Sequence, residues 1–532
     1  MSRTLGSLFI LAASGLSLPL AASPSTAPAA AAQATQSLTL QTGDYVRLRV
    51  TVPELGTALQ VHSPGGDAFR RFELKEGTHD LAFVAETVGD YRLTWIGKAG
   101  ELEVLHRIPR AEQPVPARHP MVLKSPRLQA LLSALAAGEL KVEDAFWAEI
   151  EQEGAPLVEA KDDAEVWVTF LWRGNAHTTG IFLNWPVFSP HKEDNLFQRL
   201  GDSNVWFHTA AMPKGLRLSY KLAPNPPFGP ESSRADLRRA VIATTQADPL
   251  NPRRWPPDPA RDKFAVSSVI DLSGEGVSWI DTPAAARGQV ETSAFASELL
   301  GNTREITVYT PHGLPQGAPH LPVLIVFDAD RYLNEIPTPA ILDYLIEAGE
   351  IPPAIAVFVA NPTAQSRAVE LPANPRFADF LADELLPWVR TRYACTADPQ
   401  QTIAAGSSFG GLAATSVAFF RPDAVGAVLS QSGSYWWAPD GAEGAAGTEA
   451  EPAWLNRRLA QHERLPIRFY LEAGILETVS DIRPTNRALR DVLTAKGYPE
   501  VAYHEFPGGH DDYCWQFGLA RGLKVLLQNA SD

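Results

Sequence analysis

Gly406-Ser407-Ser408-Phe409-Gly410 is the stretch of this 532-residue chain whose residue types and spacing best suit chemistry. An apolar run (residues 402–405) enters it and a helix-forming run (residues 412–420) leaves it. A serine on such a strand–turn–helix corner stands proud of a sheet, where a base can take its proton and make the hydroxyl nucleophilic. The pattern makes Ser408 the candidate nucleophile of an acyl transfer on an α/β-hydrolase scaffold. A Gly/Ser-rich turn without chemistry is the plainer alternative, and the residues downstream argue against it.

The rest of a triad comes in the expected order of acid, then histidine. Residues 467–474 read as a buried strand, and Glu477 lies just beyond it. Residues 501–507 alternate like a last strand and run into Gly508-Gly509-His510-Asp511. A histidine on that turn can accept the Ser408 proton and return it to the leaving alkoxide, so His510 is the candidate base. Glu477 is favoured as the orienting acid. Asp481 could serve instead, and Glu472, inside the strand pattern, reads as a packed or substrate-side group. The oxyanion donors are expected at the backbone N–H of Phe409 and, after the strand 323–327, at the N–H of Asp330.

The elements that must position these groups change character along the chain. Residues 1–34 hold a basic start, an apolar stretch (5–20) and small residues at Ala21-Ala22-Ser23, the marks of a secretory signal peptide followed by a flexible leader. That implies a periplasmic protein, or a secreted one. Residues 35–108 show six short alternating runs and read as a small β-sandwich module, given a packing or docking role. Residues 109–160 form a Pro-rich linker and helices, and 161–290 a second, Ig-like β domain, with 225–259 irregular and 282–292 a connection. From 291 to 532, seven strands alternate with helices, implying a mostly parallel sheet covered on both faces. A helix over 377–393 should kink at Pro387. The overall fold class is therefore multidomain, with N-terminal all-β sandwiches before an α/β-hydrolase domain.

Composition excludes several functions. Hydrophobic residues are 45% and charged residues 20%, as in globular proteins. A net charge of −15 argues against nucleic acid as a partner. No segment after the leader suits a transmembrane span, and neither a metal-ligand cluster nor a cofactor motif is evident, so no metal or cofactor is expected. Cys395 and Cys514 could pair in an oxidising compartment or remain buried free thiols.

With these residues in view the chain resembles the enterochelin esterase family. The resemblance rests on residues 168–173, 247–255, 367–374, 406–412, 429–437 and 471–477, on Gly508 to Asp511, and on Cys514-Trp515. It implies an Ig-like domain on an esterase-D-like hydrolase, with Ser408, His510 and Glu477 as the triad. The implied activity is cleavage of the ester bonds of a tri-serine catecholate siderophore, with iron arriving as part of the substrate. A ferric tris-catecholate is an aromatic trianion, so cations beside aromatic rings should meet it. Arg331, Arg367, Trp172, Arg173, Tyr435, Trp436 and Trp437 are the candidates. The family's Asp-Gly after the oxyanion strand is here Asp328-Ala329, and the β module before residue 109 lies outside the resemblance. Two other readings share the scaffold: a carbohydrate-active esterase of the feruloyl or acetyl-xylan type, and a non-catalytic binding protein.

Overall fold

Alternation builds the first domain. In the computed structural model, which describes residues 33–53, 56–117, 120–187, 194–229, 232–314, 320–439, 453–477 and 481–528, the expected signal segment lies outside the described residues. Along Tyr45–Val52, the side chains of Val46, Leu48, Val50 and Val52 turn inward while Arg49 faces solvent. Two sheets of four and three strands close over Trp95, Phe83, Leu59 and Leu93. The first strand begins at Gln33, inside the stretch expected to be leader.

The sequence pattern marks six strands in this module, and the structure adds a seventh, Ala68–Leu74. Its Arg70-Arg71 pair breaks the apolar signal, yet Arg70 is buried. The guanidinium donates to the carbonyls of Ile242 (3.0 Å) and Ala243 (2.7 Å) and lies 4.6 Å over the Phe264 ring. A buried guanidinium is tolerated where carbonyls and a ring face replace its water.

The second domain pairs two four-stranded sheets around Phe170, Trp206, Leu218 and Tyr220. Helices Pro126–Ala136 and Val142–Glu153 cover Leu171 and Phe207 on its other face. The stretch expected to be irregular contains a helix, Arg234–Thr244. Ser233 and Asp236 form a capping box at its start, an arrangement typically worth about 1 kcal/mol. Flanking prolines masked it in the sequence.

The catalytic sheet has eight strands: β1 (Gln289–Ser297), β2 (Asn302–Thr310), β3 (Val323–Phe327), β4 (Ile355–Val359), β5 (Thr402–Ser407), β6 (Ala427–Gln431), β7 (Arg468–Gly474) and β8 (Val501–Phe506). Their order is β1-β2-β4-β3-β5-β6-β7-β8. The β1–β2 and β2–β4 pairs are antiparallel and the others parallel. β1 takes up the end of the connection expected over 282–292, from Gln289 onward. As an edge strand it is largely exposed, with only Phe295 and Ser297 buried, so it carries little apolar signal. Every residue of β3, β4 and β6 is buried, as strands covered on both faces require.

Helices Thr338–Glu347 and Asp512–Gln528 pack one face of this sheet, and Phe409–Phe420 and Ile482–Ala495 the other. The expected kinked helix is Pro375–Asp379, a π turn over Phe380–Leu385, and Leu386–Arg390. The disruption thus falls before Pro387 instead of at it. Pro387 has no N–H to continue the ordinary ladder, and the wider turn absorbs the loss. Cys395 and Cys514 are buried free thiols in the cores on opposite faces of the sheet.

Candidate active site

Ser408 sits where β5 gives way to the helix Phe409–Phe420, with φ +57° and ψ −120°. A non-glycine residue with positive φ is strained and persists only where its surroundings enforce it. Here the Ser408 N–H donates to the Gln431 carbonyl (2.9 Å), and the Ser408 carbonyl accepts from the Ser434 N–H (3.0 Å). A side chain at Gly406 would come within 2.6 Å of the Gly410 backbone, so only glycine permits the tight corner. The Ser408 Oγ lies 3.3 Å from the Ser434 Oγ.

Past the end of β7, Glu477 is wholly buried, and its carboxylate accepts the Gly474 N–H at 2.7 Å. Its other oxygen meets the Nδ1 of His510 at 2.5 Å, which leaves Nε2 for other partners. Asp481 is exposed at the start of the helix Ile482–Ala495, so Glu477 is the acid that stands against His510. Glu472 is buried within β7, accepting from Gln431 (2.7 Å) and Tyr470 (2.9 Å), and burial pushes its carboxyl up to about 7.

Three strand spacings, roughly 14 Å, separate β5 from β8. The segment after β8 therefore has to turn back across the strand ends. Trp515 donates to the Ser432 Oγ (3.1 Å), and its carbonyl accepts from Gln431 (2.7 Å). Its ring meets His510 edge-on, with centroids 4.7 Å apart. Asp512 pairs with Arg331 at 3.3 Å, and Arg331 reaches the Ser407 Oγ at 3.3 Å. These contacts tie the histidine turn to the ends of β5 and β6.

The second domain holds that turn from the opposite side. Asp511 is buried and accepts from both the backbone N–H and the hydroxyl of Ser219, the latter at 2.7 Å. Burial pushes its carboxyl up to about 6. The Arg217 N–H donates to the Pro507 carbonyl (3.0 Å), and a side chain at Gly509 would press on the Pro186 carbonyl at 2.5 Å. The Gly-Gly-His-Asp motif contains Asp511, but nothing local in the sequence assigns it this task.

The Phe409 and Asp330 amides both lie in the first turns of helices, where backbone donors lack intrahelical partners. Asp328, at φ +57°, begins the turn expected to hold the second oxyanion donor, and Arg367 grips its two oxygens at 2.6 and 2.7 Å. Arg367 also lies 5.6 Å over the Phe409 ring. Arg331, Arg367 and Trp436 thus surround the elbow, Trp436 being 38% exposed with its ring centroid 5.9 Å from that of Phe409.

Among the other expected contacts, Tyr435 is contradicted outright. Tyr435 is fully enclosed, hydrogen-bonded to Thr415 (2.6 Å) and Ser430 (2.7 Å), and offers no surface to a ligand. Arg173 turns to the helix pair, meeting Glu151 at 3.1 Å and lying 5.6 Å over Trp147. Trp172 packs against the sandwich core. Trp437 faces Trp454 across a separate cavity of about 490 Å³, which Phe419 and Arg458 also line.

A serine elbow at the carboxyl end of a 1-2-4-3-5-6-7-8 sheet, with a carboxylate–imidazole pair past the last two strands, defines an α/β-hydrolase of the esterase type. The esterase family model matches residues 297–526, and the model for the N-terminal domain of enterochelin esterase matches residues 167–275. An iron(III) enterobactin esterase of Dickeya dadantii is 31% identical over 75% of this chain and 95% of its own length. One from Escherichia coli is 30% identical over 75% of this chain and 98% of its own. The crystal structure of ferric enterobactin esterase from Salmonella typhimurium superposes with a TM-score of 0.61 at 27% identity, covering 73% of this chain and 99% of that one. The chain belongs to the enterobactin esterase family and is a serine ester hydrolase. The N-terminal β module precedes both matched regions.

Proposed function

We propose that this enzyme is exported to the periplasm and hydrolyses the trilactone esters of a ferric catecholate siderophore, with Ser408, His510 and Glu477 as its triad. The Glu477–His510 pair carries the reading, because it fixes which ring nitrogen acts as base. Glu477 accepts the Nδ1–H, so Nε2 takes the proton as the Ser408 Oγ attacks the ester carbonyl. The negative oxygen of the tetrahedral intermediate accepts from the N–H groups of Phe409 and Asp330. Each such donor typically contributes about 2.7–4 kcal/mol in the transition state. Collapse expels the serine alkoxide of the siderophore, which His510 protonates. Water then repeats the sequence on the acyl-enzyme and releases the acid.

The substrate assignment follows the relatives, named as iron(III) enterobactin and iron(III) salmochelin esterases. Arg331, Arg367 and Trp436 supply cations and a ring face at the elbow, as an aromatic trianion requires. Mass spectrometry of products from ferric enterobactin, with methyl ferulate as the competing substrate, tests this. Linear and monomeric products that vanish in Ser408→Ala are expected. Turnover of methyl ferulate alone would place the enzyme among the carbohydrate esterases. Export is tested by fractionating cells that express the full chain, where a shortened protein in the periplasm is expected.

A further inference from the structure

The N-terminal β module reaches the turn that carries one of the two oxyanion donors. In the turn that carries the chain from Ala68–Leu74 in one sheet of the module to Gly77–Val84 in the other, Lys75 pairs its ammonium with the Asp330 carboxylate. The same ammonium donates to the Asn361 carbonyl at 3.2 Å. Asp330 lies in the first helical turn after β3, and Asn361 follows β4. Asn361 in turn donates to Asp328 at 2.5 Å. One lysine from outside the catalytic domain thus ties together the turns that follow its two neighbouring strands.

The module has a firm base from which to do this. Arg70 is buried against the carbonyls of Ile242 and Ala243, the Arg71 N–H donates to Asp262 (2.9 Å), and Lys263 meets Glu86 at 2.6 Å. These anchors hold the module on the second domain, and Lys75 extends from it to the oxyanion turn.

We infer that Lys75 is a positioning residue for ester hydrolysis: by holding Asp330 it keeps that residue's N–H aimed at the reacting carbonyl, which makes the N-terminal module a working part of the active site. This rests on the esterase reading and on Asp330 as an oxyanion donor. Lys75 and Asp330 are partly exposed, at 38% and 56%, so their pairing adds little to global stability. Its effect on rate is larger, because a donor displaced by an ångström can cost up to about a hundred-fold.

The test uses the full chain, a neutral aryl ester such as 4-nitrophenyl acetate, and the rate of Ser408 labelling by a fluorophosphonate. Lys75→Ala and Lys75→Gln are each expected to lower kcat and the labelling rate by about five- to ten-fold, with KM and Tm nearly unchanged. Lys75→Arg should recover most of the loss. Asp330→Asn should reproduce it, and the double variant Lys75→Ala/Asp330→Asn should lose no more than either single change. Asp80→Ala, which removes an ion pair internal to the same module, should leave kcat as it was. Rates within two-fold of wild type in the Lys75 variants, or an equal loss in Asp80→Ala, would overturn the inference while leaving the esterase reading intact. No labelling of Ser408 in the wild-type chain would overturn both.

Discussion

The turn bearing Ser408 and the turn bearing His510 share one end of one sheet, yet they are held by different means. Backbone does nearly all the work at the elbow: two main-chain hydrogen bonds, a positive φ and a glycine with no room for a side chain. The histidine turn depends on side chains drawn from afar, with Glu477 on the ring, Trp515 at its edge and Ser219 of the second domain on Asp511. Ser408 is fixed by main-chain groups of its own turn and of the adjacent strand end, and His510 by the assembly of domains.

The largest effect should come from either end of the proton transfer. Ser408→Ala and His510→Ala should each lower kcat by about a million-fold, and the double variant should be no worse, because the groups act as a unit. Additive losses in steady-state assays would separate the two turns functionally. Next, Glu477→Gln should lower kcat by about ten-thousand-fold, since an amide no longer selects the tautomer with an unprotonated Nε2.

The contrast between backbone and side-chain support is sharpened by two milder changes. Gly406→Ala forces a methyl group against the Gly410 backbone, so it should destabilise the fold by about 1–3 kcal/mol, read in urea unfolding, and lower kcat as well. Asp511→Asn should lower kcat by about ten- to a hundred-fold, with a much smaller effect on unfolding. If Asp511→Asn left kcat unchanged, the second domain would have no part in placing the base.

The smallest effect is a dependence on pH. Burial raises the Asp511 carboxyl from its ordinary 3.8 to about 6, so the folded state binds that proton more tightly than the unfolded chain does. The contribution is fully present below about pH 4 and is lost as pH rises toward 6. The Tm of Asp511→Asn relative to wild type should therefore rise across that interval. A flat difference would show that the carboxyl titrates normally.

The same division explains what the sequence disclosed. The elbow was legible because its demands are local: small residues at two fixed positions, an apolar run before and a helix after. His510 was legible from its place behind the last strand on a Gly-Gly turn. Glu477 was separated from Asp481 only by the burial that sets it against the imidazole. β1 was missed because an exposed edge strand shows one polar side to water and little apolar alternation. The strand holding Arg70 and the helix over Arg234–Thr244 were missed for a related reason, since charged residues and prolines conceal the local period. The tasks of Ser219, Asp511 and Lys75 arise only when distant segments meet, and no nearby residue announces them. Tyr435 shows the converse, because a ring in a motif beside the nucleophile turned out to be interior packing.

Cys395 and Cys514 lie on opposite faces of an eight-stranded sheet, so no rearrangement short of unfolding could bring their sulfurs together. The folded enzyme owes nothing to a cross-link between them and should tolerate reducing and oxidising surroundings alike. Its folding then calls for no thiol-oxidising machinery.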